Sequence, residues 1–355
     1  MNIDDLLRAA VERQASDLHL KIGSPPVLRI HGALTPYGDG RLTPAEMQEV
    51  LESMTTEEQR KAFARDLELD FAYSIAGLAR FRVNAALQRG TISLALRQVN
   101  WRIPTIDELG LLEVCKVLVM KPDGLILVTG PTGCGKSTTL AAMLDYLNER
   151  DTRRVITIED PIEYLFRDKK CFFTQRELGA DTRSFAEALK HVLRQDPDVI
   201  LVGEMRDLET IATALTAAET GHLVLATLHT PSAPQAIDRV IDVFPPYQQD
   251  QIRTQLSTTL QGVLYQALIP RAGGNGRVAA MEVMMATAAI RNLIREGKTY
   301  QMPNIIQTGS QYGMQTLNQA LRELYQKGLI TLESAFAKSN NPEELRELIG
   351  DRVRR

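Results

Sequence analysis

The stretch GLILVTGPTGCGKST (124–138) decides the fold of this chain, because it joins an apolar run to a glycine-rich loop that ends in Lys-Ser-Thr. Residues 130–138 match the pattern G-x-x-x-x-G-K-[ST] of a phosphate-binding loop. That motif requires a strand before it and a helix after it, and the flanking residues predict both, with the helix over 135–149. The loop therefore predicts a site for a nucleoside triphosphate, and ATP is the expected ligand.

The residue types in the loop suit phosphate chemistry. The glycines let the backbone wrap a phosphate chain with its amides pointing inward, and the helix dipole adds to that field. Lys136 is predicted to reach the β- and γ-phosphates, and the Ser137 hydroxyl to ligate Mg²⁺. Cys134 is either a reactive thiol at a helix N-terminus or a residue that fills a variable position, and the second interpretation is favoured. The predicted ATP-binding residues are Gly130, Pro131, Thr132, Gly133, Cys134, Gly135, Lys136, Ser137 and Thr138.

Strands and helices alternate from the loop onwards, which is typical of a parallel sheet covered by helices. The predicted strands cover 124–130, 154–160, 198–204, 222–228 and 277–285. The predicted helices cover 135–149, 184–195, 208–219 and 248–268, and the chain is expected to be helical from about 286 onwards. The sequence thus predicts an α/β fold with an ATPase domain over 119–355.

The first hundred residues follow a different pattern. A short amphipathic helix over 3–14 precedes five strand-like stretches, with one capped helix among them that begins after Thr43. This pattern predicts a smaller α+β domain with an antiparallel sheet over 1–99. Residues 100–118, which contain the only tryptophan, Trp101, are predicted to be a linker.

Composition restricts the compartment and the partners. The net charge is −3, the pI is about 6.0 and aromatic residues make up 5% of the chain, so no nucleic-acid partner is expected. The three cysteines fit no disulfide framework and no zinc site. The acidic start predicts no signal peptide, and the longest apolar runs are too short to cross a bilayer. The expected location is the cytoplasm, with docking on a membrane complex left open.

Acidic residues follow two of the predicted strands at the ends where parallel sheets carry their chemistry. In ITIEDPIEY (156–164), Glu159, Asp160 and Glu163 cluster at the carboxyl end of the strand, and a carboxylate there can orient or deprotonate the attacking water. A solvated acidic turn is the alternative. In DVILVGEMRD (198–207), Glu204 is placed to bind Mg²⁺ through a water molecule.

Two histidines flank another predicted strand, TGHLVLATLHT (220–230). His229 closes it at the carboxyl end, so a role in sensing the γ-phosphate is predicted. His222 opens the same strand at the opposite end and is the weaker candidate. In the first domain, period-two alternation puts Arg82 on one face of its strand, and Arg97 alternates with leucines. Both are candidates to reach a neighbouring subunit's nucleotide, and a solvated sheet face is the alternative.

With these motifs in this order, the sequence resembles the secretion (traffic) ATPases, and more narrowly the PilT-like type IV pilus retraction ATPases. The ATPase motifs that resemble the family are GPTGCGKSTT (130–139), ITIEDPIEY (156–164), DPDVILVGEMRDLET (196–210) and TGHLVLATLHT (220–230). The N-terminal ones are SDLHL (16–20), PPVLRIHG (25–32) and ARFRVN (79–84). AIRNLIREGK (289–298) and IQTGSQYGMQTL (306–317) resemble the C-terminal signature of the retraction branch.

The resemblance implies a RecA-like P-loop ATPase domain, a PAS-like N-terminal domain and a ring of six subunits that hold ATP between neighbours. It implies a motor that turns an inner-membrane platform protein, so that pilins leave the base of a type IV pilus. A paralogous retraction ATPase is a further partner in such systems. The implied roles are general base for Glu163, Walker B acid for Glu204, the histidine-box pair for His222 and His229, and phosphate contacts for Arg82 and Arg97.

Two departures from the wider family bear on the function. Extension and type II secretion ATPases carry an extra N-terminal region and a four-cysteine zinc site, whereas GGNGR (273–277) here has no cysteine. This difference favours retraction over extension. The segment FRDKKCFFTQREL (166–178) follows the family only loosely, and no role is assigned to it.

Three other functions stay open at this point. The first is an assembly or type II secretion ATPase, which bound zinc would favour. The second is a RecA-like DNA translocase, which would show ATPase activity stimulated by single-stranded DNA. The third is a regulatory protein that binds ATP and releases no phosphate.

Overall fold

The computed structural model describes residues 2–30, 32–99, 102–274 and 276–350. The chain divides into two compact units, and each is described by itself. The first comprises the residues up to 101 together with 163–165, and the second comprises 102–162 and the residues from 166 onwards. Asn100 and Trp101 of the predicted linker lie outside the described residues, whereas its last part begins a short helix at Val114.

The first unit is a six-stranded antiparallel sheet in the order β3-β2-β1-β6-β5-β4. Its strands are β1 (Ala15–Lys21), β2 (Val27–Ile30), β3 (Ala33–Pro36), β4 (Glu68–Ile75), β5 (Ala79–Gln88) and β6 (Thr91–Gln98). Its helices are α1 (Ile3–Glu12), α2 (Pro44–Met54) and α3 (Glu57–Asp66). The sequence predicted five of these strands and missed β3 and α3.

Alternation along the strands gives this sheet two different faces. In β5, Phe81 and Val83 are buried while Arg82 and Asn84 are exposed, which is the predicted period of two. The buried face forms one core with helix residues such as Leu7. The helix predicted after Thr43 is present, and Thr43 and Glu46 form a reciprocal capping box at its start.

The second unit contains a seven-stranded sheet in the order β13-β12-β7-β11-β10-β8-β9, parallel except for β13. Its strands are β7 (Gly124–Thr129), β8 (Arg154–Glu159), β9 (Phe172–Glu177), β10 (Val199–Val202), β11 (Leu223–Leu228), β12 (Leu260–Pro270) and β13 (Arg277–Met285). The central strands β7, β10 and β11 are buried along their whole length, as expected for a sheet with helices on both faces. The predicted α/β fold is confirmed.

Helices surround this sheet, and most of their buried faces contribute to the two large cores on its two sides. They are α4 (Val114–Val119), α5 (Lys136–Arg150), α6 (Phe185–Val192), α7 (Leu208–Glu219), α8 (Ala233–Asp242), α9 (Pro246–Thr259), α10 (Ala288–Arg295), α11 (Met302–Thr308), α12 (Leu317–Gln326), α13 (Leu332–Lys338) and α14 (Pro342–Ile349). The last three helices pack against β12 and β13 in a smaller core of their own. Two short 3-10 helices cover Thr299–Gln301 and Ser310–Tyr312.

One prediction in this unit was wrong. The helix expected over 248–268 ends at Thr259, and the chain continues directly as β12. Gly262 lies early in this segment, and it packs closely against Leu118, at a place where a Cβ atom would lie 3.1 Å from that leucine's side chain. The following residues are apolar at almost every position, a pattern that a buried strand and a buried helix share.

No helix among the described residues is both long and apolar enough to cross a membrane.

Candidate nucleotide site

The phosphate loop connects β7 to α5 and is shaped by its glycines. Gly130 and Gly135 adopt φ angles of 140° and 91°, which side chains disfavour. A Cβ atom on Gly130 would lie 2.3 Å from the main-chain oxygen of Gln266, and one on Gly135 would lie 2.9 Å from the Gln266 amide nitrogen. Only glycine therefore lets the loop lie this close to β12.

The start of α5 has no side-chain cap, since its N-cap residue is Gly135. The first amides of a helix lack partners within the helix, and together with the helix dipole they attract anions. Pro131, Thr132 and Gly133 are exposed and accessible to a ligand. Ser137 and Thr138 are half-buried in the first turn of the helix.

Lys136 is buried, although it carries the positive charge of the site. Its Nζ donates to the main-chain oxygens of Gly130, at 2.9 Å, and Pro131, at 3.2 Å. The same nitrogen lies 3.5 Å from Nδ1 of His229. The ammonium group is thus held inside the loop, next to where the sequence predicts the phosphates.

Glu204 is held by two neighbours. Arg206 contacts both of its carboxylate oxygens at 2.6 Å, and Nε2 of His229 lies 3.3 Å from Oε1. Burial acts to raise the pKa of Glu204, but the hydrogen bonds and charges of Arg206 and His229 outweigh it and lower that pKa. The carboxylate is therefore charged at neutral pH.

The strand order explains why these residues meet. Because β11 lies between β7 and β10, His229 at its end falls between the phosphate loop and Glu204. Carboxyl ends of parallel strands share one edge of the sheet, and open α/β sheets bind ligands there. The result is a continuous row of contacts from Lys136 through His229 and Glu204 to Arg206.

Threonines fix the ends of these strands. The hydroxyl of Thr129 lies 2.6 Å from the hydroxyl of Thr230 and accepts the Thr230 main-chain amide at 2.9 Å. The hydroxyl of Thr227 donates to the main-chain oxygen of Gly203, the residue before Glu204. These bonds set the spacing between the loop, the histidine and the carboxylate.

The acids of ITIEDPIEY occupy different surroundings. Glu159 is buried and accepts hydrogen bonds from Thr157, at 2.6 Å, and Gln175, at 3.1 Å. Asp160 is exposed. Glu163 is also exposed and belongs, with 164–165, to the first unit, so its role as general base stays a prediction.

His222 lies at the other edge of the sheet. It precedes β11 while His229 follows it, and six residues of strand span roughly 20 Å. Its Nδ1 lies 2.9 Å from the main-chain oxygen of Ala217 and 3.2 Å from the hydroxyl of Thr220, at the end of α7. Within this subunit His222 therefore does not join the row of contacts at the loop, and its catalytic role stays a prediction.

The two candidate arginines face each other across β5 and β6 in the first unit, where Arg82 and Arg97 are register partners. Both are exposed. Arg97 forms a 2.8 Å ion pair with Asp17, and Arg29 lies 3.7 Å from the same carboxylate. Burial acts to raise the pKa of Asp17, yet its bonds to Arg97 and Ser16 lower it overall. The predicted contact of Arg82 and Arg97 with a neighbouring subunit's nucleotide stays a prediction.

Cys134 is buried beneath the loop. Burial raises the pKa of its thiol, although the charge of Lys136 acts in the opposite direction. The thiol is therefore protonated at neutral pH, which favours a packing role over a reactive one. All three cysteines are buried and free.

Sequence reasoning missed two residues of this site. Arg206, which holds Glu204, stands in a charged run of the GEMRD motif that does not reveal its partner. Gln266 contacts the loop from β12 and was included in a predicted helix. The available signal for Gln266 was a lone amide inside the otherwise apolar segment VLYQALI (263–269).

The AIRNLIREGK segment forms α10, and its apolar face is buried through Ile290 and Ile294. Arg291 donates to the main-chain oxygens of Ser257 and Thr258, at 2.6 and 2.7 Å, and so caps the C-terminus of α9. The expectation of a helix in this part of the chain, from about 286 onwards, is confirmed. In GGNGR, Asn275 lies outside the described residues.

Comparison with known proteins gives this site a context. Residues 1–337 match the model of the family described as type II/IV secretion system protein. The chain is 51% identical to the type IV pilus retraction ATPase PilT of Pseudomonas aeruginosa over 97% of this chain and 99% of that one. It is 43% identical to the type IV pilus ATPase PilU of the same organism, over 98% and 91% of the two chains.

A solved structure also resembles the chain over almost its whole length. A crystal structure of the pilus retraction motor PilT with bound ADP superposes with a TM-score of 0.88 and 49% sequence identity. The match covers 97% of this chain and 98% of that one.

Proposed function

We propose that this chain works as a homohexameric motor that withdraws type IV pili. It belongs to the type II/IV secretion system protein family and is an ATPase of the pilus retraction type. The observation that carries the proposal is the row of contacts at the sheet edge, where Lys136, His229 and Glu204 lie side by side. Hydrolysis of a terminal phosphate uses groups of this kind next to a phosphate loop: a basic residue, an imidazole and a carboxylate.

In this proposal the loop amides and Lys136 bind the phosphates of ATP. Ser137 follows Lys136 in the first turn of α5, and Glu204 lies two residues after β10, the second strand along from β7. A hydroxyl and a carboxylate through water fit Mg²⁺, which prefers oxygen ligands and keeps several waters. When bound, Mg²⁺ neutralises charge on the phosphate oxygens. His229, between Lys136 and Glu204, responds to the terminal phosphate, and Glu163 accepts the proton of the attacking water.

The hexamer is proposed because the site needs positive charge from elsewhere. Phosphoryl transfer commonly uses an arginine supplied by a neighbouring subunit or domain, whose loss costs on the order of 10³-fold or more in rate. Arg82 and Arg97 are the proposed donors, and the family resemblance supports them. If Arg82→Ala and Arg97→Ala both hydrolyse ATP at the wild-type rate, this contact does not exist.

The proposed partner is the inner-membrane platform protein of the pilus, on which a cytoplasmic ring would dock. The 43% identity to PilU supports a paralogous retraction ATPase as a further partner in cells that contain one. Nucleic acid is not among the proposed partners, since the net charge of −3 gives no general attraction to it.

The experiment is genetic. The gene is deleted in a strain that also lacks any paralogous retraction ATPase, and labelled pili are followed by microscopy. We expect fibres that extend and never retract, with retraction restored by the wild-type gene and not by Lys136→Ala. Bald cells would indicate an extension motor instead, and normal retraction would contradict the proposal.

A further inference from the structure

We propose that Gln266 is a positioning residue of the ATP site, and that its side-chain amide holds the phosphate loop in the shape that binds nucleotide. The inference rests on the proposed function, since it concerns the same loop. Gln266 lies in the middle of β12, next to β7, and is only 2% exposed. A buried amide needs partners for its donor and its acceptor.

Both partners of the amide belong to the loop and the helix that follows it. Its Oε1 accepts a hydrogen bond from the hydroxyl of Thr139 at 2.6 Å, and its Nε2 donates to the main-chain oxygen of Cys134 at 2.7 Å. Cys134 precedes Gly135, the N-cap of α5, and Thr139 lies one turn into that helix. One side chain thus fixes the junction of loop and helix on both of its sides.

The bond to Cys134 sets the direction of a loop amide. In a trans peptide the C=O and the following N–H point in opposite directions. Because the Cys134 oxygen is held towards Gln266, the N–H of Gly135 points away from β12. Loop amides that share one direction are what a phosphate-binding loop needs.

The close fit of the loop on β12 leaves Gln266 little freedom. A Cβ atom added to Gly130 would lie 2.3 Å from the main-chain oxygen of Gln266. A Cβ atom added to Gly135 would lie 2.9 Å from Nε2 of the Gln266 side chain. The same residue therefore touches the first glycine of the loop with its backbone and the last with its side chain. A change in this amide is transmitted to the loop rather than absorbed by empty space.

Neither glutamate nor methionine at position 266 can make both of these hydrogen bonds. Glutamate keeps the acceptor for Thr139 but turns a carboxylate oxygen towards the Cys134 oxygen, and methionine keeps the length and loses both bonds. Either change leaves the main-chain oxygen of Cys134 without the hydrogen bond that Nε2 of Gln266 donates to it. A loop amide displaced by even 1 Å is expected to weaken both nucleotide binding and turnover.

The test compares Gln266→Met, Thr139→Val and Thr139→Ser in the full-length chain. The affinity for a fluorescent ATP analogue and kcat/KM are measured at a temperature where each variant is folded. We expect Gln266→Met to weaken affinity by about 10- to 100-fold, the effect of one or two unpaired buried groups. Thr139→Val, which removes one hydroxyl, is expected to lose about tenfold, whereas Thr139→Ser keeps the hydroxyl and should retain wild-type affinity.

The control is Asn318→Leu. Asn318 is also a buried amide, 4% exposed, and it bonds to the Asn341 main-chain oxygen and to Glu344, away from the loop. It should lower the melting temperature as Gln266→Met does while leaving nucleotide affinity unchanged. If Gln266→Met does not fold, Thr139→Val and Thr139→Ser decide the question.

Wild-type affinity in Gln266→Met, or in a folded Thr139→Val, would overturn the proposal, as would an equal loss in Asn318→Leu. Additive losses in the double variant of Gln266→Met and Thr139→Val would also count against it, because one shared bond cannot be lost twice. Failure of the proposed function is a separate result. A wild-type chain that binds ATP without releasing phosphate would remove the motor, and the affinity comparison would still test Gln266.

Discussion

The two ends of β11 carry the same residue type in very different surroundings. At the carboxyl end, His229 contacts Lys136 on one side and Glu204 on the other, and 39% of its side chain is exposed. At the amino end, His222 contacts the Ala217 oxygen and the Thr220 hydroxyl, which belong to the end of α7. One histidine is placed among charges, and the other completes the hydrogen bonds of a helix terminus.

This difference follows from the sheet and not from the histidines. In a parallel sheet the carboxyl ends of all strands lie at one edge, so that loops from distant parts of the sequence converge there. The opposite edge receives the C-terminal ends of helices such as α7 instead. A polar residue at the carboxyl edge therefore has charged partners, and its substitution should alter chemistry more than stability.

The largest effect is expected at the loop itself. Lys136→Ala removes the ammonium group that the loop holds at Gly130 and Pro131, and with it the positive charge for the phosphates. We expect nucleotide binding or turnover to be abolished, a loss on the order of 10³-fold or more in kcat/KM. Isothermal titration with ATP and a phosphate-release assay measure it. Turnover within tenfold of the wild type would show that the carboxyl edge is not the active site.

Removal of the proposed general base comes next. Glu163→Gln keeps the size of the side chain and loses the carboxylate, so we expect ATP affinity to be spared and kcat to fall by about 10²- to 10⁴-fold. Glu209→Gln serves as the control, because Glu209 is an exposed residue of α7 that pairs with Lys190. Retained hydrolysis in Glu163→Gln would remove Glu163 as the base.

The histidines give the most direct comparison of the two edges. His229→Ala is expected to lower kcat by about 10- to 100-fold, since it breaks the row of contacts between the loop and Glu204. His222→Ala should leave ATP affinity unchanged and lower the melting temperature slightly through the lost helix contact. Any loss of turnover in His222→Ala should depend on protein concentration, because it would act through ring assembly. A concentration-independent loss as large as that of His229→Ala would contradict this comparison.

The smallest effect concerns pH. The pKa of Glu204 is lowered overall: burial acts to raise it, but the hydrogen bonds and charges of Arg206 and His229 outweigh burial. Replacement of Arg206 by alanine removes the first of these lowering causes, so the pKa of Glu204 rises. Because activity requires the charged carboxylate of Glu204, the acid limb of the kcat/KM profile should move to higher pH. An acid limb that does not move, or moves down, would show that Glu204 does not set it.

Much of the fold could be predicted because its signals are local. The helix over 208–219 has the predicted bounds, and the strands before the loop, Glu204 and His229 are present. A Walker motif and alternating strands imply a parallel sheet, and the sheet places Lys136, Glu204 and His229 together. Lys136 was identified from the loop motif, and Glu204 and His229 were identified from their positions at strand ends.

What could not be predicted depends on distant contacts. Gln266 bonds to a residue 132 positions earlier in the chain, and nothing local distinguishes its strand from the helix predicted there. The strand β9 (Phe172–Glu177) was missed because its sequence is polar in part. Among the described residues it is the edge strand of the sheet and pairs with β8. The bidentate pair of Arg206 with Glu204 depends on side-chain rotamers that no sequence pattern encodes.

The most direct test of the central claim is phosphate release from Mg²⁺-ATP by the purified wild-type chain, without nucleic acid or other proteins. The groups gathered at the carboxyl edge predict continuous release that stops when Lys136 is replaced by alanine. A chain that binds ATP and releases no phosphate at any protein concentration would contradict the account.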